Sequence, residues 1–125
     1  MRSATKVAVL PAAPERILGY FTLVAIKIVD TELPSGAPAI LLAQLGVDLS
    51  IGGPGLGTFL LQHAIRHALS GALEVGGVAL IVDAVDPKIA TWYMKRVPDF
   101  RPLTADGLRL VVPMRTLAAA LHPNA

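Results

Sequence analysis

The sequence predicts an α/β (α+β) fold, a mixed β-sheet with helices packed on it, from three observations. Apolar segments rich in β-branched residues recur at 6–10, 17–29, 40–47, 78–84 and 108–114. Only a short turn separates the first two, which favours an antiparallel hairpin. Between the third and fourth lies a clear amphipathic helix, and a strand–helix–strand unit needs a crossover and hence a parallel pair.

Each element has its own signal. Residues 11–16, with Pro11 and Pro14, form the turn of the hairpin, and residues 30–38, with Pro34, Gly36 and Pro38, read as a loop. The strand at 40–47 is almost wholly apolar, so burial on both faces is expected. In the helix at 58–73, Leu61, Ala64, Ile65, Ala68, Leu69 and Ala72 share one face, while Gln62, His63, Arg66, His67 and Ser70 share the other. Gly76-Gly77 closes that helix. Asp86-Pro87 reads as an N-cap followed by proline in the first turn, opening a helix that ends near Val97-Pro98. A short terminal helix is expected at 115–121. There is no internal repeat, and residues 1–125 read as one domain, long enough for one core and not two.

Composition excludes several classes. The chain is 54% hydrophobic and 16% charged, a core-forming balance rather than a disordered one. It has no cysteine, hence no disulfide framework and no thiolate ligand or nucleophile. His63 and His67 stand four apart and share a helix face, the spacing of a metal pair, but no H-E-x-x-H motif joins them and a solvated face explains them. No metal is expected. A net charge of +2 does not announce a nucleic-acid binder. Within residues 88–115, however, Lys88, Lys95, Arg96, Arg101, Arg109 and Arg115 outnumber Asp99 and Asp106, so this part is +4 and the rest −2. That balance suits coenzyme phosphates, an RNA backbone or ordinary surface charge. The apolar run at 17–29 is too short to span a bilayer and contains Lys27, so no membrane association and a cytoplasmic location are expected.

The most informative stretch is Leu45-Gly46-Val47-Asp48-Leu49-Ser50-Ile51-Gly52-Gly53-Pro54-Gly55-Leu56-Gly57-Thr58. It reads as a strand, a glycine-rich turn and the start of a helix. Four glycines within residues 52–57 leave backbone N–H groups unscreened beside the positive end of a helix dipole, a site for a phosphate or pyrophosphate. A Walker loop needs Lys-Ser/Thr after its last glycine, where Thr58-Phe59 stands. The dinucleotide pattern G-x-G-x-x-G, begun at Gly53, needs a glycine where Thr58 stands. An ordinary glycine-rich connection is the alternative.

What remains resembles the acetyl-coenzyme A loop of the GNAT superfamily of N-acetyltransferases, usually Gln/Arg-x-x-Gly-x-Gly/Ala. Gly53-Pro54-Gly55-Leu56-Gly57 fits the glycine spacing, and Gly52 replaces the customary Gln or Arg. Further segments are similar, in order, to the toxin-type branch, whose members pair with small antitoxin proteins. Ile17-Leu18-Gly19-Tyr20-Phe21-Thr22-Leu23 resembles V-G-Y-Y-x-L, and Leu42-Ala43-Gln44-Leu45-Gly46-Val47-Asp48 resembles L-G-R-L-A-V-D. Thr91-Trp92-Tyr93 sits at A-F-Y, and Leu110-Val111-Val112-Pro113-Met114 at L-x-L-P-L/M. The family normally begins with another strand and two helices, so the resemblance implies an N-terminally truncated domain. Gln44 replaces an arginine, and Val97-Pro98-Asp99-Phe100 replaces a short path to G-F.

The resemblance implies acetyl-CoA as co-substrate. Backbone groups around Leu45, Gly46 and Val47 would pair with the pantetheine arm, and amides of Gly52, Gly53, Gly55, Leu56, Gly57 and Thr58 would hold the pyrophosphate. Tyr93 is the implied general acid: a phenol with a reference pKa near ~10 can protonate a departing thiolate. Its other reading is a tyrosine packed beside Trp92. Glu32 and Asp83 are the nearest carboxylates for a general base, each also readable as a surface or capping group. The implied acceptor is the amino group of an aminoacyl-tRNA, with an antitoxin as partner. The alternatives are a small-molecule or protein N-acetyltransferase, or a non-catalytic domain that binds coenzyme A or a partner. Without the family's first strand, the hairpin leaves an unpaired sheet edge, from which a homodimer or a tight complex with a partner is expected.

Overall fold

The computed structural model describes residues 3–10, 13–27, 37–47, 55–75 and 77–121. Along them run β1 (Ser3–Leu10), β2 (Ala13–Lys27), β3 (Pro38–Val47), α1 (Leu56–Val75), β4 (Ala79–Asp83), α2 (Pro87–Arg96), β5 (Arg101–Pro102), β6 (Arg109–Pro113) and α3 (Met114–Leu121). The strands form one mixed sheet in the order β1-β2-β3-β4-β6-β5. Neighbours are antiparallel except β3 and β4, the pair that the α1 crossover joins.

The hairpin forms as its pattern predicts, with β2 longer at its start. Its register jumps from Val9↔Ile17 to Leu10↔Ala13, which takes Pro14, Glu15 and Arg16 out of the ladder. Proline has no N–H to give a ladder, so an irregular end is where it fits.

Helix α1 buries Leu60, Leu61, Ala64, Ile65 and Ala68 and exposes Gln62, His63, Arg66, His67 and Ser70. Its apolar stripe lies on Phe21 and Leu23 of β2, Ile40 and Leu42 of β3, and Leu80 and Val82 of β4, in one core with Leu110, Val112, Met114 and Leu117. Each large side chain removed from water there contributes about 1.5–3 kcal/mol.

The opposite face carries only a small cluster, Ala39 and Ile81 with Ile26, Leu41 and Val111 beside them. Burial of β3 on both faces is met only at its start: Ala39, Ile40 and Leu42 are buried, whereas Leu41 is half-buried and Gln44 is exposed. The three helices pack into the core on the other face. A groove of ≈ 670 Å³ lies along Ala25, Ile26, Lys27, Pro38, Leu41 and Arg109.

Helix α2 starts as the Asp86-Pro87 pair predicts: Asp86 Oδ1 accepts from Ile89 N–H at 2.9 Å. It ends where Val97 N–H donates to Tyr93 C=O at 2.9 Å, just before Pro98. The two-residue β5 is too short to leave a pattern in the sequence. It is joined to β6 by a turn that Gly107 closes at φ 74, a left-handed conformation suited to glycine.

Candidate active site

The site grows from a fault in the sheet. Strands β3 and β4 pair over only three positions, Ile40↔Leu80, Leu41↔Ile81 and Leu42↔Val82. At that point the β2–β3 register passes from Leu23↔Leu42 to Thr22↔Gln44, so Ala43 is an extra residue, a β-bulge in β3. A bulge bends its strand and sharpens the twist. Beyond it, Gln44–Val47 stays paired with β2 (Phe21↔Leu45, Tyr20↔Gly46, Gly19↔Val47) but not with β4. The two parallel strands thus part, and the outer arm of β3 presents a one-sided strand edge. An extended ligand carrying amides can add to such an edge as a further strand.

The bulge also reverses which side chains face the helices. Leu42 points into the helix-side core before it, and Leu45 joins that core after it. Gly46 falls on the other face, where the ring of Tyr20 lies across it. A β carbon there would stand 2.6 Å from Tyr20 Cε1.

The chain leaves β3 toward the glycine loop and returns to the described residues at Gly55. Gly52 and Gly53, assigned to the loop by resemblance, lie outside the described residues, as does Glu32. Gly55 C=O accepts from Phe59 N–H at 3.0 Å, the first link of α1. Leu56, Gly57 and Thr58 are therefore first-turn residues, whose N–H groups have no carbonyl within the helix to meet. No acidic residue stands in that turn to compete for them. Among the described residues, a β carbon on Gly55 would meet nothing within 4 Å, so on that side its backbone is open to approach.

Helix α2 closes the other side. Trp92 lies against Gly57: a β carbon there would stand 3.1 Å from Trp92 Cζ2. The Arg96 guanidinium stacks on the Trp92 ring, 4.4 Å from its centre, and donates from Nε to Thr58 Oγ1 at 3.2 Å. The link from Arg96 to Thr58 was not legible in advance, because the two stand 38 residues apart.

Tyr93 is buried, 4% exposed, on the same α2 face as Ala90. Its ring meets Trp92 edge-on at 5.2 Å and Phe100 at 6.1 Å. Burial, and secondarily the negative charge of Asp83, push its pKa up to about 12. The phenol therefore keeps its proton across the neutral range and remains a donor. Asp83 itself is engaged elsewhere: Arg109, directly opposite on β6, donates to Oδ1 from Nε at 2.6 Å and to Oδ2 from Nη2 at 2.7 Å. A carboxylate committed to both arms of an arginine is a poor general base. His63 and His67 are exposed, His63 against Phe59 at 4.5 Å and His67 near Phe21 at 5.7 Å. No helix among the described residues is long and apolar enough to cross a membrane.

No protein-family model matches the chain. A tRNA-acetylating toxin of Mycobacterium tuberculosis is 28% identical over 114 residues, a match covering 85% of this chain and 68% of that protein. A tyrosine-to-phenylalanine mutant of the AtaT toxin, solved with acetyl-CoA and the C-terminus of the antitoxin AtaR, is 28% identical with a TM-score of 0.71, over 84% of this chain and 64% of that one. AtaT complexed with acetyl-methionyl-tRNAfMet shares the fold, with 24% identity, a TM-score of 0.78 and coverage of 94% and 74%. The chain spans about two thirds to three quarters of the length of these relatives.

Proposed function

We propose, from the premise that this chain is a relative of the GNAT-type acetyltransferase toxins, that it transfers the acetyl group of acetyl-CoA to the amino group of an aminoacyl-tRNA. The parting of β3 and β4 at Ala43 carries the reading. It leaves a strand edge for the pantetheine amides at Leu45, Gly46 and Val47, and it leads into the loop and first turn of α1. There the amides of Gly52, Gly53, Gly55, Leu56, Gly57 and Thr58 take the pyrophosphate. The 1–125 chain acts as one acetyltransferase domain.

The chemistry is an acyl exchange. The neutral amine attacks the thioester carbonyl, the carbon–sulfur bond breaks, and the leaving thiolate takes the phenolic proton of Tyr93. Tyr93 is reprotonated from solvent, and the proton lost by the amine passes to water. Most of the acceleration comes from holding amine and thioester together. The buried phenol stays protonated at neutral pH, as a donor must, while its raised pKa makes it a weaker acid than an ordinary tyrosine.

On the acceptor side, the groove beside Leu41 combines an apolar floor with Lys27 and Arg109 at its rim. That chemistry suits an aminoacyl side chain attached to a phosphodiester end. An antitoxin and a second copy of the chain are the protein partners, the latter through the outer edge of β1, which stands at the end of the sheet. The cytoplasm is the compartment that this substrate implies.

The test is radiolabelled acetyl transfer to pools of charged tRNA and to simple amines. Label on charged tRNA is expected. Label on simple amines alone overturns the acceptor and leaves a small-molecule acetyltransferase. Tight acetyl-CoA binding without turnover on any amine overturns catalysis and leaves a binding domain.

A further inference from the structure

We infer that Arg96 is the cation that binds the coenzyme's phosphates, delivered to the loop from α2 rather than from the loop itself. The inference rests on the acetyl-CoA reading above. A pyrophosphate is a strong anion, and backbone amides meet it with partial charges only. Yet the sequence places no Lys or Arg anywhere between Lys27 and Arg66, and its nearest charged group before the loop is the acidic Asp48. A full positive charge at this site must come from another element.

Arg96 is the side chain that arrives there. It stands in the last turn of α2. Two contacts fix its guanidinium, the face-on stack over Trp92 at 4.4 Å and the Nε–H bond to Thr58 Oγ1 at 3.2 Å. Trp92 is fixed in turn against Gly57. The charge is therefore held beside the first turn of α1, at residues whose amides have no carbonyl within the helix. Among the described residues only Nε of Arg96 is hydrogen-bonded. Its two terminal nitrogens form the planar fork that takes phosphate oxygens in pairs. The stack also lowers the entropy lost on binding, since the long side chain is already ordered.

The decisive experiment compares acetyl-CoA with acetyl-pantetheine, a thioester of the same arm without phosphates, on the native full chain and on Arg96→Gln. Acetyl-CoA affinity is expected to fall roughly 10- to 100-fold in the variant, with a shallower salt dependence. Use of acetyl-pantetheine should not change. Thr58→Val, which removes the hook but not the charge, should weaken acetyl-CoA binding by less. An equal loss for both thioesters would mean that Arg96 merely holds the two helices together, and overturns the inference. So does unchanged acetyl-CoA affinity in Arg96→Gln. Failure of the native chain to bind acetyl-CoA at all overturns the functional reading itself, and this inference with it.

Discussion

Gly57 and Trp92 approach so closely that a β carbon on the glycine would stand 3.1 Å from Trp92 Cζ2. The first turn of α1 and α2 meet at this approach and at the Arg96–Thr58 hydrogen bond. Trp92 is the only tryptophan in the chain. Its fluorescence therefore reports on this one place, where Gly57, Tyr93 and Arg96 surround the ring. Acetyl-CoA is expected to shift or quench the emission, and Gly57→Ala to change it without ligand, because the ring must tilt. Emission that ignores acetyl-CoA, while calorimetry shows it bound, would place the coenzyme elsewhere.

Gly55 tests the loop from the opposite direction. A β carbon there meets nothing within 4 Å among the described residues, so Gly55→Val should cost no more than about 1 kcal/mol through the poorer helix cap. The branched bulk would, however, stand where the pyrophosphate approaches the backbone. Thermal melting close to native together with lost acetyl-CoA binding is the expected pair of results. Normal binding by this variant would remove the loop from the phosphate site.

Asp83 and Arg109 allow stability and chemistry to be separated. Their ion pair is bidentate, but the side chains are 41% and 38% exposed, so Asp83→Asn should change stability by about 1 kcal/mol or less. The same change removes a negative charge that raises the Tyr93 pKa. Ultraviolet titration of tyrosinate should then find Tyr93 ionising below the native value of about 12. An unmoved titration would mean that burial alone sets it.

Alkaline stability follows from the same group. Tyr93 ionises near 10 when unfolded and at about 12 when folded, so the folded state holds its proton more tightly. Its contribution is complete below pH ~10 and is lost as pH rises through ~12, on the order of 2–3 kcal/mol in all. Denaturant titrations at stepped pH should show that slope in the native chain. Tyr93→Phe, which has no proton to lose, should lack that part of it.

The strands and helices were legible because they are written in local periodicity. The α1 stripe, the Asp86-Pro87 start of α2 and the buried run of β4 each follow from neighbours within a few residues. The bulge at Ala43 was not legible, since one extra residue in an apolar run leaves no mark until the partner strand is known. The same holds for Arg96 on Thr58 and for Asp83 on Arg109, pairs that only the folded sheet and helices bring together. The one-sided cover of β3 escaped for a different reason. An apolar run implies that a strand can be buried on both faces, not that helices lie on both.

The role proposed for Tyr93 is to protonate the leaving thiolate of an acetyl-CoA held between β3 and β4. The most direct measurement is the single-turnover rate of acetyl transfer by native chain and by Tyr93→Phe, each with acetyl-CoA affinity measured alongside. The ring still packs between Trp92 and Phe100 in the variant, so affinity should stay near native. The rate should fall by roughly 10²–10⁴-fold. Full activity in Tyr93→Phe would make the tyrosine a packing residue and contradict the mechanism.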